Sequence, residues 1–189
     1  MNNTFTLPNG YKESFKIDLK ENKKLYIGIN ASATIVMLAL LLPVLFTKLD
    51  IILSDNTYGS SLFTLFLLLF SFAYIVLHEL VHGIFIRIFS GKWGNFGFKG
   101  AYAFAGSECY FNKASYLIIA LAPIVIWGIV LALLNIFMPM NYLWLALYFV
   151  QTMNISGSVG DIYVTARLLK ESPDILIRDT GVAMTIFNG

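Results

Sequence analysis

The sequence predicts an all-α integral membrane protein with four transmembrane helices. Between the second and third helices it predicts a short segment that is either β-hairpin-like or an aromatic interfacial loop. Three observations lead there. Of the 189 residues, 58% are hydrophobic and 13% charged, against about 45–50% and about 25% in soluble domains, and the mean hydropathy is +0.73. Four apolar runs are each long enough to cross a bilayer at ~1.5 Å per residue. If the chain passes in-out-in-out-in, twelve of its thirteen Lys and Arg residues fall on one side, and the positive-inside rule makes that side the cytoplasm. Both termini are then cytoplasmic, and without a targeting signal the plasma membrane is the expected location. The net charge of +2 is small and the basic residues flank apolar runs, which argues against nucleic acid as a partner. Cys109 is the only cysteine, so an internal disulfide and a Cys-rich zinc site are both excluded.

Residues 1–24 are polar and mixed in charge, and read as a cytoplasmic N-terminal segment that is at most partly helical. The domain proper is expected over 25–170. Its first run, Leu25 to Phe46 between Lys23-Lys24 and Lys48, reads as a retained spanning helix rather than a signal peptide. After a loop, Leu49–Ser60, with Lys48 on the outer side, the second run extends from Leu62 to Phe89. At roughly 28 residues it must tilt or project beyond the bilayer. Gly91–Lys113 breaks the pattern with five glycines, and Phe96, Phe98, Tyr102 and Phe104 alternate within it. A turn at Lys99-Gly100 or Gly106-Ser107 would make it a hairpin. The third run, Ser115–Met138, contains Pro123. Pro139-Met140-Asn141 turns the chain into a fourth run, from Tyr142 to about Lys170. The segment 171–189 reads as an irregular cytoplasmic tail with a short β-like Ile175-Leu176-Ile177.

The second run carries His78-Glu79-Leu80-Val81-His82, which holds the chain's only two histidines. On a helix, residues i and i+4 share a face, so both imidazoles can bind one Zn²⁺, leaving Glu79 within reach of water at the metal. Ser71, Tyr74, His78 and His82 form the only polar stripe on this helix. On the fourth run Asn154, Ser158 and Asp161 form another polar face, and Gly157 and Gly160 suggest close helix approach. Counted along the two parallel helices, His78 and Asp161 lie at matching depths. A catalytic zinc takes three protein ligands and keeps an open position. His78, His82 and Asp161 supply three, with Glu108 the competing third ligand. Glu79 is the candidate general base. Asn154 is either an oxyanion donor or a residue packing across helices. Gln151, Ser158 and Tyr74 read as packing residues.

His78-Glu79-Leu80-Val81-His82-Gly83 on a membrane helix, followed by Asn154-Ile155-Ser156-Gly157-Ser158-Val159-Gly160-Asp161 on a later one, resembles the putative zincin membrane peptidases of the DUF3267 type. These are similar to small site-2 proteases, which cut substrates within the membrane. The resemblance covers roughly residues 60–180 and implies His78, His82 and Asp161 as zinc ligands and Glu79 as the base. The chain departs from site-2 proteases in having no proline near Asn154 and Asp161-Ile162 where they carry Asp-Gly. The implied activity is a membrane-embedded zinc metallopeptidase cutting peptide bonds of membrane-associated substrates near the cytoplasmic face. The partners are then a membrane protein or peptide as substrate and the lipid bilayer. The alternative is a non-catalytic membrane protein that binds a partner helix or a metal through the same polar pocket.

Overall fold

Three of the apolar runs fold as helices where hydropathy puts them, a form in which the backbone satisfies its own hydrogen bonds. The computed structural model describes residues 2–47, 57–99, 102–181 and 183–189. In it α1 spans Lys23–Thr47, α2 Thr57–Ser90 and α3 Lys113–Phe137. Asn112 starts α3 as its N-cap, its side chain accepting from the Ser115 amide at 2.9 Å. Among the described residues three helical stretches are long and apolar enough to cross a membrane: Lys23–Val44, Ser61–Ser90 and Lys113–Phe137.

The expected fourth transmembrane helix does not form, and the four-span reading is corrected to three candidate spans. The run from Tyr142 stops as α4, Tyr142–Gly157, and restarts as α5, Val159–Leu169. The break is at Ser158, whose N–H turns back to the Ser156 carbonyl. Gly and Ser hold a helix weakly, and hydropathy does not register such a break. The 16 residues of α4 reach about 24 Å, short of the roughly 30 Å hydrocarbon core. With 11 residues, Asp161 and Arg167, α5 is amphipathic rather than spanning.

The all-α expectation is also overturned, since among the described residues six strands form two antiparallel sheets. Between α2 and α3 the chain forms a hairpin of β2, Asn95–Lys99, and β3, Tyr102–Gly106, with Phe96 opposite Ala105 and Phe98 opposite Ala103. The second sheet has the order β1-β6-β5-β4. Its strands are β1, Lys12–Ile17, β4, Phe111–Asn112, β5, Leu176–Asp179, and β6, Met184–Asn188. The N-terminal segment, read as at most partly helical, thus supplies a strand, and the tail, read as irregular, supplies two. β1 turns Phe15 and Ile17 toward the core while Lys12 and Lys16 stay exposed. That alternation is short and interrupted by Ser14, and its partner β6 lies at the opposite end of the chain. Lys48, residues 49–56 of the outer loop and Gly100 of the expected turn lie outside the described residues.

Because β1 precedes α1, β4 precedes α3 and β5 follows α5, the sheet gathers the chain at one end of the helices. A core of Phe111, Leu168, Ile175, Ile177 and Ile186, all 0–1% exposed, joins it to Ile86 of α2 and Tyr116 and Ile119 of α3. Glycines set the fit of the hairpin into this frame. A Cβ on Gly83 would lie 2.1 Å from the Phe96 ring, so that ring rests directly on α2. A Cβ on Gly106 would lie 2.2 Å from the backbone carbon of Thr180, so β3 abuts the β5–β6 turn. Overpacking of this kind costs about 1–3 kcal/mol or more. Gly106→Ala should therefore lower the unfolding temperature in detergent. Gly28→Ala, in the second turn of α1 with open space around it, should leave it unchanged or raise it slightly.

Candidate metal centre

The i, i+4 spacing places the His78 and His82 rings one above the other on α2, with centroids 5.0 Å apart. The elements packed against α2 fix which nitrogen of each ring faces outward. His82 Nδ1 lies 2.9 Å from the Ile119 carbonyl oxygen of α3. A carbonyl can only accept, so Nδ1 carries the proton and Nε2 keeps its lone pair. That carbonyl is free for a reason written in the sequence. Four residues on stands Pro123, inside α3, which has no N–H to close the helical bond to Ile119.

His78 is held in the same tautomer by a longer chain of bonds. The Tyr74 hydroxyl donates to Asn154 Oδ1 at 3.1 Å and so accepts from His78 Nδ1 at 2.9 Å. Asn154 Nδ2 in turn donates to the Ile124 carbonyl at 3.2 Å. Asn154 is completely buried, with both ends of its amide engaged behind the histidine rather than in the cavity.

The helix break at Ser158 places Asp161 in the first turn of α5, where the helix dipole favours a carboxylate. Asp161 Oδ2 is 3.6 Å from His78 Nε2 and Oδ1 is 3.8 Å from His82 Nε2. One ligand atom from each of the three residues fits within a 4.8 Å span. Tetrahedral zinc with ~2.1 Å bonds separates neighbouring ligand atoms by about 3.4 Å. The two lone pairs, the carboxylate and their spacing therefore fit a zinc ion. Glu108 is not part of this group; it is exposed and sits 3.8 Å from Arg178. Gly157 and Gly160 do not mediate helix contact, since a Cβ on either would meet nothing within 4 Å. Both face a cavity.

That cavity, about 500 Å³, is lined by Tyr74, His78, Glu79, His82 and Asp161 together with β3 residues Ala103 to Ala105. The Ala105 backbone faces the Glu79 carboxylate across the cavity wall, so the hairpin and the HExxH helix meet at the candidate base. Among the further polar residues that line it and that the sequence reading did not single out are Tyr116 of α3 and Asp179 of β5. The Tyr116 hydroxyl donates to Asp179 Oδ2 in a short hydrogen bond, and the Gly181 amide donates to Oδ1 at 2.8 Å. Burial pushes the Asp179 carboxyl up, and these two donors pull it partly back. No local motif flags either residue; Tyr116 sits in an apolar helix and Asp179 at the end of a strand of only four residues.

A family model described as DUF3267, putative zincin peptidase, matches residues 71–176, just over half of the chain. The match takes in both histidines, Glu79, Asn154 and Asp161. Comparison with curated proteins and with solved structures gave no match.

Groups that orient a metal-binding histidine typically change metal affinity about 10–100-fold when removed. Tyr74→Phe, which cuts the link from His78 to Asn154, should weaken zinc binding within that range in competition with a chelator, while Glu108→Ala should leave it unchanged. Pro123→Ala restores an N–H that competes for the Ile119 carbonyl. It should weaken zinc binding about 10-fold without lowering the unfolding temperature, since alanine favours the helix.

Proposed function

This chain belongs to the DUF3267 family of putative zincin peptidases, and from that premise we propose that it is a membrane-embedded zinc metallopeptidase. In this reading it hydrolyses peptide bonds of membrane-associated protein or peptide substrates near the cytoplasmic face. The observation that carries the proposal is the convergence of His78 Nε2, His82 Nε2 and an Asp161 carboxylate within 4.8 Å, with Glu79 beside them. Three helices long and apolar enough to span a membrane support the embedding. Twelve of the thirteen Lys and Arg residues fall in the segments that run to or from the sheet end of the helices, which supports a cytoplasmic sheet and cytoplasmic termini. From His78 to the end of α2 at Ser90 is 12 residues, or about 18 Å along the axis.

His78, His82 and Asp161 would hold the zinc, with Tyr74, Asn154 and the Ile119 carbonyl as positioning groups. When bound, the ion supplies Lewis acidity toward the scissile carbonyl and lowers the pKa of water. Glu79 takes a proton from the attacking water as its oxygen bonds to the carbonyl carbon. It passes that proton to the departing amine nitrogen as the C–N bond breaks. The Ala105 backbone stands beside the Glu79 carboxylate at this position. β3 is one strand of a two-stranded sheet, and its outer edge, at Ala103 and Ala105, runs along the cavity. An extended substrate segment can pair there, as in strand addition to a sheet edge. A helical substrate has to unwind first, because its peptide bonds are otherwise shielded by their own hydrogen bonds.

Glu79→Gln separates binding from chemistry. In detergent the variant should keep about one equivalent of zinc while cleavage falls by about 10²–10⁴-fold. Equal cleavage by variant and wild type would sink the assignment of the base, and loss of zinc from wild type upon Asp161→Ala tests the ligand set.

A further inference from the structure

Two of the three carboxylates that face the cavity have roles in the peptidase reading, Asp161 as metal ligand and Glu79 as base. Asp179 has none. It stands at the end of β5, beyond residue 176 where the family match ends. Its orientation is fixed by two donors, the Tyr116 hydroxyl and the Gly181 amide, and donors of this kind favour a charged carboxylate. Burial opposes that charge. Among the described residues lining the cavity there is no Lys or Arg to offset it. The adjacent cation, Arg178, faces the other side of the strand, where it lies against Tyr110 and Glu108. Asp179 is thus an oriented, poorly solvated carboxylate with no cationic partner of its own, open to the space in which a substrate must lie. A positive group arriving there gains a charge-assisted hydrogen bond and relieves the cost of the lone charge.

On the peptidase reading, we propose that Asp179 is a specificity-determining residue that receives a cationic nitrogen of the substrate close to the bond that is cut. Lys or Arg side chains and a free terminal amine share this chemistry. Met184, the cross-strand neighbour of Asp179 on β6, and Phe104 and Ala105 on β3 add apolar lining to the same cavity, which suits the methylene stem of such a side chain.

The test compares N-acetylated peptides that differ only in Lys or norleucine at each position flanking the scissile bond, using zinc-loaded protein in detergent. A hydrogen bond to a charged group corresponds to roughly 10–100-fold in kcat/KM. Wild type should prefer the lysine peptide by that ratio at one position. Asp179→Asn should bring the ratio close to one, and Asp179→Glu, which keeps the charge, should restore part of it. If the advantage instead appears between acetylated and free-amine forms of the norleucine peptide, and is lost in Asp179→Asn, the terminal amine is the cation recognised. A wild-type ratio near one throughout overturns the proposal, as does a preference that persists in Asp179→Asn. If wild type cleaves none of the peptides, the peptidase reading fails separately, and binding of the same peptides to Glu79→Gln protein decides for Asp179. Lysine-selective binding that disappears with Asp179→Asn sustains it; equal binding of both peptides overturns it.

Discussion

The hydrogen bond from His82 Nδ1 to the Ile119 carbonyl is the interaction on which the rest of the centre depends. A helix interior normally has no carbonyl to spare, because each is taken by the N–H four residues later. Pro123 removes that N–H and leaves Ile119 available at the level of the second histidine. The result is a fixed tautomer, with the lone pair of Nε2 directed at Asp161. His78 reaches the same state through Tyr74 and Asn154, which ends on another carbonyl of the same helix, Ile124. α3 contributes no ligand, yet through two backbone oxygens it orients both of the histidines that α2 carries.

The third member arrives by a different device. An unbroken helix from Tyr142 would carry Asp161 in a direction set by residues two turns earlier. The interruption at Ser158 uncouples the two, so α4 can pack between α2 and α3 while α5 turns its first-turn carboxylate toward the histidines. The absence of side chains at Gly157 and Gly160 keeps the space in front of that carboxylate open. The hairpin is held equally closely, with the Phe96 ring on Gly83 just past the second histidine and Gly106 against Thr180. Its register places the Ala105 backbone at Glu79.

What was legible in the sequence is what depends on near neighbours. The i, i+4 histidines with Glu79 between them, the matching depth of Asp161 and the three long apolar helices all follow from helical periodicity and hydropathy. The fourth helix was misread because hydropathy averages over the Gly-Ser break that gives Asp161 its direction. The sheet was missed for another reason: β1 pairs with β6 across almost the whole chain, and a pairing that distant leaves no local pattern beyond a few alternating residues. Ile175-Leu176-Ile177 showed its β character, but not the Asp179 that follows it into the cavity. Asn154 is legible as a polar residue on the right face; its complete burial and its bonds to Tyr74 and the Ile124 carbonyl, behind the histidine, are not.

These two kinds of legibility correspond to two parts of the molecule. The residues that could hold the metal and move the proton lie between residues 71 and 176, in the stretch matched by the family. Much of the wall around them does not. Ile17 ends β1 and Leu19 follows it, Tyr26, Ile29 and Asn30 come from α1, and Asp179, Gly181 and Met184 come from the last hairpin. The sheet that joins the two ends of the chain brings those residues to one cavity, so the parts least specified by local sequence shape what can enter it. A chain of this construction can change its walls at either end without disturbing Pro123, Tyr74 or the break at Ser158. Chemistry and selectivity are then separable, since the first rests on backbone carbonyls inside α3 and the second on side chains delivered by strands.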